Sequence, residues 1–299
     1  MKDTKVPFRK YYENGSPKIL GYHSKTTGRK IGKWETFYDN GSLKEVGSYK
    51  EDKKTGRWAF YNKNGRLKST GTFKNDKQNA EWKFYNSGKL ESLGFYYAGK
   101  PHGEWHYFID GAIESSGFFD NGEQSGEWCW YHWNGSVKEV VCYEGNTKHG
   151  ESRYYRENGT LIMIKTYHHG ELSGEYRGYH ENGKLSEIGI FENGKKSGEW
   201  KWYHPSGHLK ELVNYKADQV HGEWQHFREN GTLMVSEIYD HGVNTGDYRG
   251  FHENGQLREV GFYRASKKSG QWKFYDRQGK LYKIDTFNDG ELIDTCIAG

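Results

Sequence analysis

The chain has almost no proline, 4 residues in 299, and only three cysteines, Cys129, Cys142 and Cys296. So few cysteines exclude a disulfide framework; Cys129 and Cys142 fall on the two sides of one turn and are read as thiols. No stretch approaches the ~18 consecutive apolar residues of a membrane helix. The opening MKDTKVPFRKYYENG has no apolar run, so no signal peptide is expected, and a cytoplasmic, reducing location fits the cysteine usage. Hydrophobic residues are only 33% and mean hydropathy is −1.08, too little for a deep aliphatic core. The net charge of +4 is too small to indicate a nucleic-acid partner. Sequence signatures of phosphate-binding loops, nucleophile elbows and zinc hydrolases are missing, so no enzyme activity, catalytic residue, metal or cofactor is expected.

Aromatic residues, at 17%, and glycines, 40 of them, are abundant, which argues against disorder and for short, turn-rich elements. They recur in phrases. GEWCWYHWNGSVKEVVCY at 126–143 returns as GEWKWYHPSGHLKELVNY at 198–215, 72 residues later. A mid-phrase aromatic falls at Tyr11, Phe37, Tyr61, Tyr85, Phe108 and Tyr131, and continues to Tyr275. The intervals are 26, 24, 24, 23, 23 and then six of 24, giving twelve units. A turn glycine follows each, from Gly15 to Gly279, and Asn precedes it in eight of the twelve. Such a period signals a repeat architecture. Asn-Gly between aromatic and β-branched residues predicts a β-hairpin, both turn residues tolerating positive φ. The second turn of each unit is a polar, lysine-containing run such as NGKKSG at 193–198. The expected fold is all-β: an elongated, single-layer, twisted antiparallel meander of about twelve hairpins, roughly 110 Å long before twisting. Residues 1–299 read as one array, with a three-unit super-period of 72 residues, and residues 288–299 as a C-terminal cap. Duplication of three-unit blocks explains the super-period; the functional alternative is a ligand surface repeated every third hairpin.

Trp stands seven residues before most turn glycines, and a second Gly six after. That spacing places Trp34 opposite Gly47, Trp58 opposite Gly71, Trp82 opposite Gly94 and Trp105 opposite Gly117, with a three-residue loop or bulge in the two shorter units. Each ring is expected to cover the glycine it faces. Ser152 and Lys165 replace both members of one pair; Trp200 opposite Val213 and Trp224 opposite Glu237 break the rule. One face should collect the Trp residues and a second aromatic two residues on, the other the anchor aromatics and the polar residue after each Trp.

Turn charges separate the two edges. Acids such as Glu13, Asp39 and Glu181 mark the Asn-Gly edge, and Lys30, Lys53, Lys54, Lys77, Lys100, Lys148, Lys195, Lys196, Lys267 and Lys268 mark the other. Charged turns keep sheets from associating; they also make a basic rail for anionic lipid or an acidic protein. The 14 histidines read as solvated surface residues, with His168 and His169 the one adjacent pair. Partner-binding candidates are Trp130, Trp133 and Trp202, of the type that dominates interfaces, and Arg177 and Arg249, beside Gly178 and Gly250 where other units carry an aromatic. Those glycines are expected to form notches for a partner's side chains.

The unit G-x-W-x-x-Y-x-x-N-G-x-L-x-x-x-G-x-Y-x-N-G-K, clearest at 174–198 and 198–222, resembles the MORN-variant repeat, and the resemblance covers nearly the whole chain. Bacterial proteins built of this variant resemble YwqK-family antitoxins, which implies a cytoplasmic, non-enzymatic protein that binds and neutralises a toxin and is monomeric alone. The alternative the repeat implies is a structural scaffold or lipid-associated interaction module. It offers no catalytic residues to carry over.

Overall fold

The Asn-Gly turns set the first edge. Between strands Lys53–Tyr61 and Leu67–Lys74, the Asn62 N–H donates to the Arg66 carbonyl at 3.0 Å and the Gly65 N–H to the Asn62 carbonyl at 2.9 Å. Only Gly65 takes a positive φ, of 81°. This is a three-residue loop, a type I turn closed by a left-handed glycine. Asn64 keeps an ordinary φ and instead accepts a bond from the Arg66 N–H at 3.2 Å, a correction to the expected turn chemistry. Two-residue turns with positive φ at both residues occupy the other edge, as at Glu51–Asp52 (50°, 66°) and Ala217–Asp218 (51°, 69°). They also close the two shorter units, at Ser87–Gly88 and Asp110–Gly111. The shorter units therefore have shorter loops, and a bulge restores their register.

The computed structural model describes residues 4–298, and every regular element in them is a β-strand, 25 from Lys5–Tyr11 to Glu291–Ile297. The chain divides into one unit ending at Thr147 and another starting at Lys148. Each is an antiparallel meander of hairpins, as the sequence predicts. Successive hairpins are also tied at both edges. Tyr38 Oη donates to the Tyr61 carbonyl at 2.8 Å, and Asn40 Nδ2 to the Lys63 carbonyl at 3.0 Å. At the other edge the Lys54 N–H donates to Asp76 Oδ1 at 2.7 Å while the Asp76 N–H donates back to the Lys54 carbonyl at 3.1 Å. Each hairpin is thus held by its neighbours, as in other stacked repeats. The last strand, Glu291–Ile297, pairs with Leu281–Asn288.

Trp34, Trp58, Trp82 and Trp105 are the cross-strand partners of Gly47, Gly71, Gly94 and Gly117. Their rings, however, lie over the glycine of the preceding hairpin. A Cβ on Gly21 would stand 2.2 Å from the Trp34 ring, one on Gly47 2.1 Å from Trp58, and one on Gly71 2.1 Å from Trp82. The expectation that each ring covers the glycine across its own turn is corrected accordingly. A bulge supplies the reason. Next to Gly94 the ladder slips, so that Gly94 faces Trp105 but Tyr96 faces Pro101. Phe95 has no partner on that side, and the Trp105 indole N–H donates to its carbonyl at 3.0 Å. Trp82, Trp128 and Trp200 make the same bond to Thr72, Phe118 and Ile190, each at 3.1 Å.

The corrected pairing accounts for the exceptions. Gly189 lies under Trp200, and Gly261 under Trp272. Lys165 and Glu237 face Tyr176 and Tyr248 in the next hairpin, where no Trp needs bare backbone. Only Trp224 faces a larger residue, Val213. Its ring stays half-buried and its indole N–H finds no acceptor. Asp285 occupies the last glycine position and accepts a bond from Thr295 at 2.9 Å in place of a ring.

These rings are the core. Trp58 is 1% exposed, with Lys54 Nζ 4.1 Å from its ring centre and Tyr49 meeting its edge. In the first unit Phe60, Phe84 and Tyr107 interleave with Trp58, Trp82, Trp105 and Trp128 at 5.9–6.1 Å, a continuous row. In the second, Tyr176 stacks on Trp200 and Tyr248 leans on Trp272. Gly47→Ala is expected to cost about 1–3 kcal/mol by overpacking against Trp58. In denaturant unfolding, Gly47→Ala and Trp58→Ala together should depart from additivity by at least about 0.5 kcal/mol, while Gly47→Ala and Trp34→Ala should add. The opposite pattern would restore the cross-turn pairing.

Candidate interaction surface

Residues flanking each Trp in its strand turn to the opposite face. There an acid and a base two residues apart form an ion pair in hairpin after hairpin. Glu81 holds Lys83 at 3.2 Å, Glu151 holds Arg153 at 2.9 Å, and Glu199 holds Lys201 at 2.6 Å. Glu175 with Arg177 and Asp247 with Arg249 continue the series. The Glu199 carboxylate keeps the Lys201 ammonium above its usual pKa, and Glu175 does the same for the Arg177 guanidinium. Exposed pairs of this kind are worth little stability, about 0–1 kcal/mol each.

Apolar side chains stand between these charges. Phe95, Phe118, Ile190 and Phe262 each follow a ring-covered glycine and are 45%, 52%, 49% and 41% exposed. Their cross-strand partners are Glu81, Glu104, Glu175 and Asp247, which puts them on the charged face. The sequence reading missed all four. Their signal was an apolar residue directly after the second glycine, on the solvent side of the alternation.

Arg177 and Arg249 thus lie on this face, already ion-paired. The notches expected beside them do not exist. Gly178 and Gly250 are buried, and the space above them holds Glu187 and Glu259 of their own hairpins. The two carboxylates sit there because Tyr176 Oη and Trp202 Nε1 donate to Glu187 at 2.9 and 3.0 Å, and Tyr248 Oη donates to Glu259 at 3.2 Å. Trp202 is therefore engaged inside the repeat, and Trp130 packs on Trp128 and Tyr143. Trp133 is 73% exposed on a three-residue turn, beside a cleft lined by Ile109, Ile113 and Trp130.

The lysine edge divides in two. Lys30, Lys54, Lys196 and Lys268 lie 3.9–4.8 Å from Trp ring centres, while Lys53, Lys77, Lys100, Lys195 and Lys267 are exposed. Several histidines are structural rather than simply solvated: His180 Nε2 and His252 Nε2 each sit 2.8 Å from the anchor carbonyl of the next hairpin, Tyr203 or Tyr275. Others are gathered, His149 with His168 and His169, and His221 with Asp240 and His241. None of the three cysteines is in a disulfide.

A family model described as MORN repeat variant matches eight segments, 30–51, 54–75, 148–169, 172–193, 196–217, 220–241, 244–265 and 268–289, more than half of the chain. The shortened hairpins between residues 76 and 147 fall outside it. No curated protein matches. Among solved structures, a chain of "Crystal Structure of TcdB2-TccC3-Cdc42" aligns with 96% of this chain at 10% identity and a TM-score of 0.21. One of "Crystal Structure of TcdB2-TccC3" aligns with 97% at 11% identity and a TM-score of 0.20. This chain spans about a fifth of their length, 21% and 23%, and at those TM-scores the likeness carries no argument.

The tyrosines that replace Trp make a titration test. Burial, followed by the charge of Glu259, pushes the Tyr248 hydroxyl up to about 12, against about 10 in an unfolded chain. Its contribution to stability is fully present below about pH 10 and is lost as pH rises toward 12. Tyr248→Phe should therefore unfold with a shallower alkaline decline over that window. A decline as steep as in the parent would mean Tyr248 does not carry it.

Proposed function

The chain belongs to the MORN repeat variant family, and from that premise we propose that it is a cytoplasmic antitoxin, an immunity protein that covers the active surface of a bacterial toxin. The repeat is a non-catalytic module that serves protein binding or scaffolding. The observation that carries the reading is the charged face with its exposed Phe95, Phe118, Ile190 and Phe262. Strand pairing fixes these side chains before any partner arrives, so little ordering entropy is lost on binding. The apolar residues supply burial at ~25 cal/mol per Å², and the alternating acids and bases set register and exclude wrong partners. A toxin as the partner follows from the resemblance of the unit to YwqK antitoxins.

A second reading, a lipid-associated scaffold, rests on the exposed Lys53, Lys77, Lys100, Lys195 and Lys267. It is the weaker of the two, because the alternate lysines of that edge are folded onto Trp rings.

Affinity capture of the tagged chain from its native cell, with mass spectrometry, is the test. One stoichiometric protein is expected, lethal when expressed alone and harmless beside this chain. Phe95→Ala with Phe118→Ala should weaken that complex tenfold or more without changing the fold. Salt-sensitive binding to anionic vesicles, with no such protein, would replace the antitoxin by the scaffold.

A further inference from the structure

Two clusters of imidazoles stand at equivalent places in the second unit. His149, His168 and His169 bring one ring nitrogen each within 4.8 Å of one another. His221, Asp240 and His241, each 72 residues further on, do the same. Both depend on the same local geometry. His169 and His241 open two-residue turns with φ of 47°, each followed by a left-handed glycine. The glycine N–H then donates back across two strands, Gly170 to the Lys148 carbonyl and Gly242 to the Val220 carbonyl, each at 2.8 Å. That bond presses the turn against the residue before His149 or His221 and brings the rings together.

We propose that each cluster is a binding site for a divalent transition ion of the zinc class, with three protein ligands and the remaining position open to solvent. Imidazole with or without one carboxylate suits Zn²⁺, Ni²⁺ or Cu²⁺ and not Mg²⁺ or Ca²⁺. The second site is the further organised. Asp240 Oδ1 lies 3.1 Å from His221 Nδ1 and 3.6 Å from His241 Nε2. Ligand atoms around a tetrahedral zinc with bonds of 2.0–2.1 Å stand about 3.3 Å apart, so little movement is needed. The His221 Nδ1 is shut off from solvent and makes no well-formed hydrogen bond. On the far side of the His241 ring, Nδ1 sits 3.2 Å from Gln219 Oε1, a contact that fixes the ring and leaves Nε2 for a metal. In the first site the three rings stand 4.3–5.3 Å apart between centres, and two belong to adjacent, exposed residues free to turn toward an ion.

The repeat supplies its own control. His102 and Asp120 form the same pair at 3.4 Å in the first unit, but Asn121 stands where His169 and His241 stand. The two complete clusters also lie in the hairpins whose ring-covered glycine is replaced, by Lys165 and Glu237. An ion there would tie a strand to the following turn where that clamp is missing.

The test is calorimetric titration of the full, untagged, metal-free chain with zinc sulfate, counting equivalents. Two specific equivalents are expected at micromolar zinc or tighter. His241→Asn, which copies Asn121, should remove one equivalent, His169→Asn the other, and the double variant both. His102→Ala should change nothing. Circular dichroism should show every variant folded, and zinc should raise the melting temperature of the parent but not of the double variant. No binding at tens of micromolar zinc, or a stoichiometry indifferent to His169 and His241, would overturn the proposal.

Discussion

An indole ring lying flat on bare backbone is the contact on which the rest of this chain depends. A Cβ cannot be fitted on Gly47, Gly71 or Gly189 without entering the ring above. The contact joins one hairpin to the next, because the glycine and the ring belong to different turns. That is what a single-layer repeat requires: hairpins alone are marginal in water, and cohesion must come from the junctions. Burying a Trp is worth about 3–5 kcal/mol against alanine. Seven such junctions concentrate most of the apolar burial on one face.

Placing the rings on one face decides what the other can be. Since side chains alternate, the residues flanking each Trp must tolerate water, and they are acids and bases that satisfy each other within the strand. The bulge beside each covered glycine frees the carbonyl that receives the indole N–H. It also leaves Phe95, Phe118, Ile190 or Phe262 standing out from the charged face. The same departure from regular pairing therefore builds the core on one side and the exposed apolar residues on the other. A chain short of aliphatic residues obtains both from aromatic rings and glycine.

The repeat, the hairpins, the faces and the Trp–Gly register were legible in the sequence, because a period near 24 residues and a turn glycine leave few alternatives. The direction in which a ring leans was not, since Trp82 has a glycine opposite it on both sides, Gly71 and Gly94. Units further on held the answer. Trp200 has Val213 across its own turn and Gly189 behind it, and Trp272 has Asp285 across its turn and Gly261 behind. Gly178 and Gly250 misled for another reason. A missing side chain reads as a notch only if nothing fills it, and Glu187 and Glu259 come from the partner strand. The histidine clusters were hidden because turn-to-strand bonds two strands apart leave no local spacing.

The 72-residue period acquires physical content from these junctions. In the second unit the sequence of ring positions runs Tyr176, Trp200, Trp224 and then Tyr248, Trp272, so that a Tyr without a glycine partner returns every third hairpin. Tyrosine carries a hydroxyl that indole lacks, and at both places it reaches a glutamate, Glu187 or Glu259, fixed over Gly178 or Gly250. A buried acid held by a phenol in this way forbids a bulky side chain at the glycine beneath. Duplication of a three-hairpin block copies that whole set together, since no member can change alone without leaving a clash or an unpaired carboxylate. Interdependence of this kind preserves the period whatever surface the array presents.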